Sequence, residues 1–316
     1  MNIVIFSCAN TGNFGDDIIL EGIKIKMSRE YPQTGGQIWQ VLRINELTID
    51  FINKQDFLII GGGEVLSHSD ILKQIVSQDI KIPYMFLSVG VGSESDIRAF
   101  MPKLCPTVWY ARTEQDADIL RNCGAKNVII HIDPVFECPF DKKPNGKIGL
   151  CLKNQNKDEK FIEDTARMLD GLISAGMEID LLALNSRPQQ PIIYCGEKIL
   201  LSDCNDEALM QSIKRKMKKD ISVLAYDGKN PLRFLDLLAD YEGIVGERLH
   251  AIMAAVHAGI NFKAINYHDK VEKFLNMAGL RDKMIQGDVV SIKQAIEKLW
   301  LKRSERPKWG IYEYSA

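Results

Sequence analysis

No stretch of this 316-residue chain approaches the ~20 uninterrupted apolar residues that a membrane-spanning helix needs. The opening MNIVIFSCANTGNFGDD has no basic n-region and turns acidic early, which predicts no secretory leader. An excess of one charge sign is also missing. Lys+Arg 40 stand against Asp+Glu 42, a net charge of -2, so the basic stripe of a nucleic-acid binder is not expected. The seven cysteines (Cys8, Cys105, Cys123, Cys138, Cys151, Cys195, Cys204) are odd in number and form no CxxC. That pattern argues against a disulfide frame or a structural zinc and predicts a reduced, cytoplasmic protein. HExxH and HxxxH are absent, so no metal site is expected. There is no GxSxG elbow, and no cysteine sits in a nucleophile-like motif.

What the chain does have is 46% hydrophobic residues, ample for packed cores, at a length beyond the ~250–300 residues at which one core stops growing. Apolar runs at Ile3–Cys8, Ile38–Leu42, Phe57–Ile60, Tyr84–Val89, Val108–Arg112 and Val128–Ile132 alternate with amphipathic stretches such as Asp16–Arg29 and Glu114–Asn122. Several runs are apolar at every position, as parallel strands buried on both faces require. Proline, glycine and charge concentrate in Cys138–Lys147, a linker signal. The alternation then restarts through Ile148–Lys153, Asp158–Ala175, Glu178–Leu184, Ile221–Tyr226, Gly243–Val245 and Phe262–Asn266, and ends on a helical pattern at Ile292–Leu301. The expected fold is α/β, with two Rossmann-like doubly wound domains, 1–141 and 142–316, facing a cleft. The C-terminal helix and the segment after it are left open to pack back on the first domain. The run Lys214–Lys219 reads as a solvated helix end.

In such sheets ligands bind beyond the carboxyl ends of the strands, which directs attention to four loops. The first, Asn10–Asp17, carries Gly12 and Gly15 for tight turning, with Asn13, Asp16 or Asp17 able to cap the next helix. It matches neither GxGxxG nor a Walker loop. The second, Gly61-Gly62-Gly63-Glu64, places three glycines at a strand end. Either a ligand is held by bare amides there, or a helix crowds the strand. The third, Gly90–Ser93, repeats the pattern more weakly. The fourth, Gly246-Glu247-Arg248-Leu249-His250, enters a helix whose apolar stripe is Leu249, Ile252, Met253 and Val256. Arg248 and His250 flank that stripe in the first turn. An arginine at the positive end of a helix implies an anion between them, and a neighbouring histidine can donate a proton near neutral pH. Arg112, at a strand end, reads either as a ligand or as an ion-pair partner of Glu114 or Asp116. Lys270 reads either as surface or as part of a site. His257 reads as a packing residue, and His68 and His131 lack the partners of metal ligands.

The ordered set of motifs resembles the polysaccharide pyruvyltransferase family. The matching pieces are GNFGDD, the GGG after the third strand, SVGVG, the strand-end Arg112-Thr113-Glu114-Gln115 and Ile132-Asp133-Pro134-Val135-Phe136. They continue with Glu247-Arg248-Leu249-His250-Ala251, Ala258-Gly259 and Tyr267-x-x-Lys270-x-x-x-Phe274. The resemblance implies a glycosyltransferase-B-like pair of domains and transfer of a pyruvyl group from phosphoenolpyruvate, a co-substrate with no separate cofactor. The acceptor would be a sugar of a cell-surface glycan precursor, and the product a ketal. It implies that Arg248 and Leu249 hold the donor, that His250 is the acid, and that Arg112 is a second donor ligand. Gly12, Asn13, Gly15, Asp16, Asp17, Gly61, Gly62, Gly63, Glu64, Gly90 and Lys270 complete the expected site, with Asp16 orienting or deprotonating the acceptor. The chain departs from the family pattern at Glu247, where a small residue is common, and at Glu94, where a proline is frequent. Both departures bear on the acceptor. Whether the acceptor is carried on a lipid diphosphate, which would bring the protein to a membrane surface, and whether the protein is an oligomer stay open. A nucleotide-sugar glycosyltransferase and a non-catalytic sugar- or phosphate-binding protein are the rival readings.

Overall fold

Runs that are apolar at every position become parallel strands covered on both faces, as the computed structural model of the chain shows. The structure describes all residues except 8, 10–11, 33–36, 42–43, 45, 64, 68, 156, 187–191, 195–196, 200–204, 304 and 306–316. Two compact units form. Among the described residues, one contains Met1–Ala9 and Asp16–Cys138, the other residues 12–15 and the chain from Pro139 to residue 305.

The first unit alternates β1 (Ile3–Phe6), α1 (Phe14–Glu30), β2 (Ile38–Val41), α2 (Glu46–Ile52), β3 (Phe57–Gly63) and α3 (Ser69–Ser77). It continues with β4 (Tyr84–Val89), α4 (Glu94–Arg98), β5 (Val108–Ala111), α5 (Glu114–Asn122) and β6 (Val128–Ile130). All six strands are parallel, in the order β2-β1-β3-β4-β5-β6. The order reverses between β1 and β3, so the loops leaving those strands flank the switch point where such sheets bind ligands. Ile3 and Ile5 of β1, Ile59 of β3 and Leu87 of β4 pack against Ile19, Leu20, Ile23 and Met27 of α1.

The second unit begins with β7 (Ile148–Cys151), α6 (Glu159–Ser174), β8 (Ile179–Ala183), a hairpin of β9 (Ile192–Tyr194) and β10 (Glu197–Ile199), α7 (Asp206–Lys216) and β11 (Ser222–Ala225). It ends with α8 (Pro231–Ala239), β12 (Gly243–Gly246), α9 (Leu249–His257), β13 (Asn261–Ile265), α10 (Asp269–Met277), β14 (Met284–Ile285) and α11 (Val289–Leu301). Its parallel sheet runs β11-β8-β7-β12-β13-β14, with the reversal between β7 and β12. The hairpin is absent from the sequence expectation. Helix α11 puts Ile292, Ala295, Ile296 and Leu299 into this unit's own core with β7 and α6, where the sequence reading had left it open to pack on the first domain. The basic run closes α7 as a solvated end. Lys216 pairs with Glu159 and with Glu163 (3.1 Å), and Asp170 accepts the backbone N–H groups of Lys218 and Lys219.

The two explanations for the glycine triplet separate by position. Gly62 has φ +81°, and a Cβ there would stand 2.1 Å from Ile19 Cγ2 of α1, so crowding between helix and strand accounts for it. Gly63 also has positive φ, but a Cβ would meet nothing nearer than Asp16 Oδ1 at 3.8 Å. Gly62→Ala therefore combines overpacking with a disfavoured backbone and is expected to lower stability by about 1–3 kcal/mol. Urea unfolding followed by tryptophan fluorescence measures this, with Gly63→Ala as the sterically milder comparison.

Candidate active site

The second unit gathers polar residues at the carboxyl edge of its sheet, on the exits of five strands. The first contributor is the loop before α1. Phe14 is fully buried between Tyr226 and Phe234, at ring-centroid distances of 5.6 and 5.2 Å. Its N–H donates to Leu184 O (2.9 Å), Ser186 N–H donates to Gly12 O (3.2 Å), and Asn13 bridges Asn185. Asn13 Oδ1 accepts the Gly15 N–H (3.2 Å), so Asn13 caps α1, while Asp16 and Asp17 lie inside its first turn rather than at the cap. A loop that the sequence places after the first strand is thereby fastened to the exits of β8 and β11.

Gly15 meets the fourth loop. A Cβ on residue 15 would lie 2.4 Å from His250 Nδ1 and 3.0 Å from its Cε1, so the half-buried imidazole packs directly on the glycine backbone. His250 stands in the first turn of α9, whose leading amides have no intrahelical acceptor. Arg248, the residue before this helix, is extended (φ -84°, ψ 128°). Its Nε donates to Asp206 Oδ2 at 2.8 Å and its terminal nitrogen to Oδ1 at 2.6 Å, a two-pronged pair with a fully buried carboxylate. The anion that the sequence reading expects beside Arg248 is thus supplied in the first instance by the chain itself. Burial disfavours the Arg248 charge, but the Asp206 charge and hydrogen bonds outweigh it and hold the guanidinium above its ordinary range. Leu249 is 3% exposed and packs with the apolar stripe, so its side chain belongs to the core and not, as expected, to a ligand.

Sequence reasoning missed Asp206, since nothing in its local pattern marks it. It opens α7, donates its N–H to Asn185 O (2.8 Å) and accepts the Asn154 N–H (3.1 Å) as well as Arg248. It also missed Lys153, two residues past β7. Glu247 Oε2 accepts the Lys153 N–H (2.8 Å) and Glu247 Oε1 pairs with Lys157 (3.2 Å), tying together the two loops that flank the switch point. The ammonium of Lys153 lies 4.5 Å from the Tyr267 ring centroid, and that of Lys270, in the first turn of α10, lies 5.6 Å from it. Cys151, at the end of β7, is fully buried. Desolvation and then Asp206 push its thiol up, which makes it a poor nucleophile. His257 packs edge-on against Phe140 at 4.9 Å, as a packing histidine should.

The other expected residues lie in the first unit, at the carboxyl edge of its own sheet. Gly90 N–H donates to Gly63 O (2.8 Å), joining two glycine loops. Asp17 is buried, and the Asp16 carboxylate is near Gly63. Arg112 is 4% exposed and pairs with neither Glu114 nor Asp116, its expected partners. Asp116 serves Thr113 and the Val91 N–H, and Arg112 pairs with the buried Asp133 at 3.6 Å, which joins two of the quoted motifs. Glu64 and His68 lie outside the described residues. The structure therefore brings Gly12, Asn13, Gly15, Arg248, His250 and Lys270 into one unit, and Asp16, Asp17, Gly61, Gly62, Gly63, Gly90 and Arg112 into the other.

A family model described as polysaccharide pyruvyl transferase matches residues 13–269. No curated protein sequence matches the chain. Among solved structures, a UDP-GlcNAc 2-epimerase from Neisseria meningitidis, bound to UDP-GlcNAc, superposes with a TM-score of 0.60 at 11% identity, covering 100% of this chain and 97% of its own. A second such epimerase, from Methanocaldococcus jannaschii, gives 0.56 at 12% identity, covering 99% and 96%. A functionally uncharacterised protein from Klebsiella pneumoniae gives 0.50 at 15% identity, covering 90% and 93%. At these identities the likeness establishes the fold, two α/β domains of the glycosyltransferase-B-like kind.

Removing one partner of a buried ion pair leaves the other charge uncompensated, at a cost of about 3–5 kcal/mol. Asp206→Ala is accordingly expected to lower the melting temperature of the folded chain by several degrees. In a double-mutant cycle, adding Arg248→Ala to it is expected to cost little further. Calorimetry of the four proteins tests the pair, and strict additivity would count against it.

Proposed function

We propose, for a chain that belongs to the polysaccharide pyruvyl transferase family, that it transfers the pyruvyl group of phosphoenolpyruvate to a sugar of a cell-surface polysaccharide precursor, releasing phosphate and leaving a pyruvate ketal. The observation that carries this reading is His250 in the first turn of α9, packed on Gly15 and adjoining an Arg248 that Asp206 fixes in place. A proton donor beside a fixed cation and a helix start suits an enol phosphate, which needs a proton at its methylene carbon while its anionic groups are held.

His250 gives its proton to the methylene carbon, and the neighbouring carbon accepts a sugar hydroxyl oxygen. The carbon–oxygen bond to phosphate breaks, and a second hydroxyl of the same sugar closes the ketal. The two hydroxyl protons leave, one restoring the imidazolium and the other leaving with phosphate or solvent. Arg248 and Lys270 hold the donor, and Asp16 is the candidate for orienting the acceptor hydroxyl. Arg112, buried on Asp133, supports the strand exit around it; as a second donor ligand it belongs to this proposal only through the family motif. Cytoplasmic chemistry on a lipid-carried acceptor accords with the reading. Among the described residues, no helix is long and apolar enough to cross a membrane.

The nucleotide-sugar reading shares this fold, and the products separate the two. Incubation with phosphoenolpyruvate and a panel of glycan precursors is expected to release inorganic phosphate, whereas UDP-sugars are expected to release no nucleotide. His250→Asn should lose roughly 10²–10⁴-fold in turnover while the chain stays folded, the span usual for an acid–base group. Normal turnover in that variant would remove the role. Gly15→Ala, whose methyl would occupy the imidazole's place, is expected to lose turnover in the same assay with donor affinity less affected.

A further inference from the structure

Three adjacent strands of the second sheet, in the order β7-β12-β13, each deliver a cation beyond their carboxyl ends: Lys153, Arg248 and Lys270. The two lysines share Tyr267 as a neighbour. The Lys153 and Lys270 ammonium nitrogens stand 4.5 and 5.6 Å from the centroid of its ring. Arg248 is matched by Asp206, the Lys153 ammonium also donates to Gln155 Oε1, and the two lysines share attraction to one ring. A multiply charged anion beside this ring would be attracted by both ammonium groups at once.

We propose that Lys153 and Lys270, gathered on Tyr267, hold the phosphate group of the donor, and that Lys153 is a substrate-binding residue outside the motif set. This rests on the reading of phosphoenolpyruvate as donor. The division of labour follows from chemistry. One edge of the planar Arg248 fork is engaged by Asp206. The two ammonium groups are compact point charges with three donors each, suited to a tetrahedral anion. Glu247 sets where Lys153 starts, because one of its oxygens takes the Lys153 N–H and the other takes Lys157. The small residue common in the family at position 247 would make neither contact. Phosphate released in the reaction would rest on the same lysine pair, so product inhibition should depend on it as donor affinity does.

The test compares the full-length wild type with Lys153→Met and Lys153→Arg, with Lys153→Gln in reserve should the Met variant unfold. Calorimetric titration with phosphoenolpyruvate and separately with inorganic phosphate is expected to show both dissociation constants raised about 10- to 100-fold in Lys153→Met, the loss of one charged contact. Lys153→Arg should restore them to within a few-fold. In turnover, KM for phosphoenolpyruvate and the inhibition constant for phosphate should rise together, with kcat changed less. Unchanged affinities in Lys153→Met beside normal wild-type phosphate release would overturn the lysine pair and leave the donor reading standing. A wild type that binds inorganic phosphate through Lys153 yet releases none from phosphoenolpyruvate with any acceptor would overturn both.

Discussion

Burial of Phe14 between Tyr226 and Phe234 draws the loop of residues 12–15 onto the exits of β8 and β11, and a closed circuit of contacts follows from it. Leu184 O takes the Phe14 N–H, and Asn185, next in sequence, pairs with Asn13 and accepts the Asp206 N–H. Asp206 holds Arg248 by two hydrogen bonds. Arg248 precedes the helix whose first turn carries His250, and His250 packs on Gly15, back in the starting loop. Segments 235 residues apart in sequence (Gly15 to His250) thus set the place of one imidazole. An aromatic among glycines is what makes this possible. The glycines allow the backbone to come close, and the buried ring supplies the apolar driving force that a bare turn lacks.

The electrostatics rest on the same framework. Two carboxylates, Asp206 and Glu247, are almost wholly removed from water, and each is matched by a cation and by backbone N–H groups. Replacing such pairs with apolar residues often stabilises a fold, so what they position matters more here than the stability they add. What they position is the pair of loops at the switch point between β7 and β12, with Arg248 on one side and Lys153 on the other. A charged group already oriented in a partly dry setting needs little reorganisation when a substrate charge arrives. The first unit follows a similar logic on a smaller scale, with Arg112 held by Asp133 at the end of its strand.

Much of this was legible in the residues. Apolar runs such as Tyr84–Val89 and Ile148–Cys151 have no polar face to offer solvent, and they become interior parallel strands; the glycine and Arg-Leu-His loops fall at strand exits, as alternating β and α units require. The partners were not legible. Asp206 lies 42 residues from Arg248, and nothing in the local pattern around an acidic helix start marks it as the residue that neutralises an arginine two strands further along the chain. Arg112 shows the same gap. Two acidic residues close in sequence, Glu114 and Asp116, were natural candidates, but α5 engages Asp116 in its own cap and leaves Asp133 to face the guanidinium. Periodicity reports which face is buried; it carries no information about which buried charge meets which.

The glycines make the point most clearly, because one residue type serves different constraints. At position 62 a side chain would strike Ile19, and the requirement is the fit of α1 on β3. At position 15 a side chain would strike the imidazole of His250, and the requirement is the close approach of α9 to this loop. In sequence both are glycines in a loop beside a strand. Only the identity of the atom that a Cβ would displace separates the two requirements, and that atom comes from a part of the chain no local motif contains. The motif GNFGDD is therefore better understood as one half of a contact than as a turn. Its other half is Arg248-Leu249-His250, whose imidazole packs on the glycine of that loop.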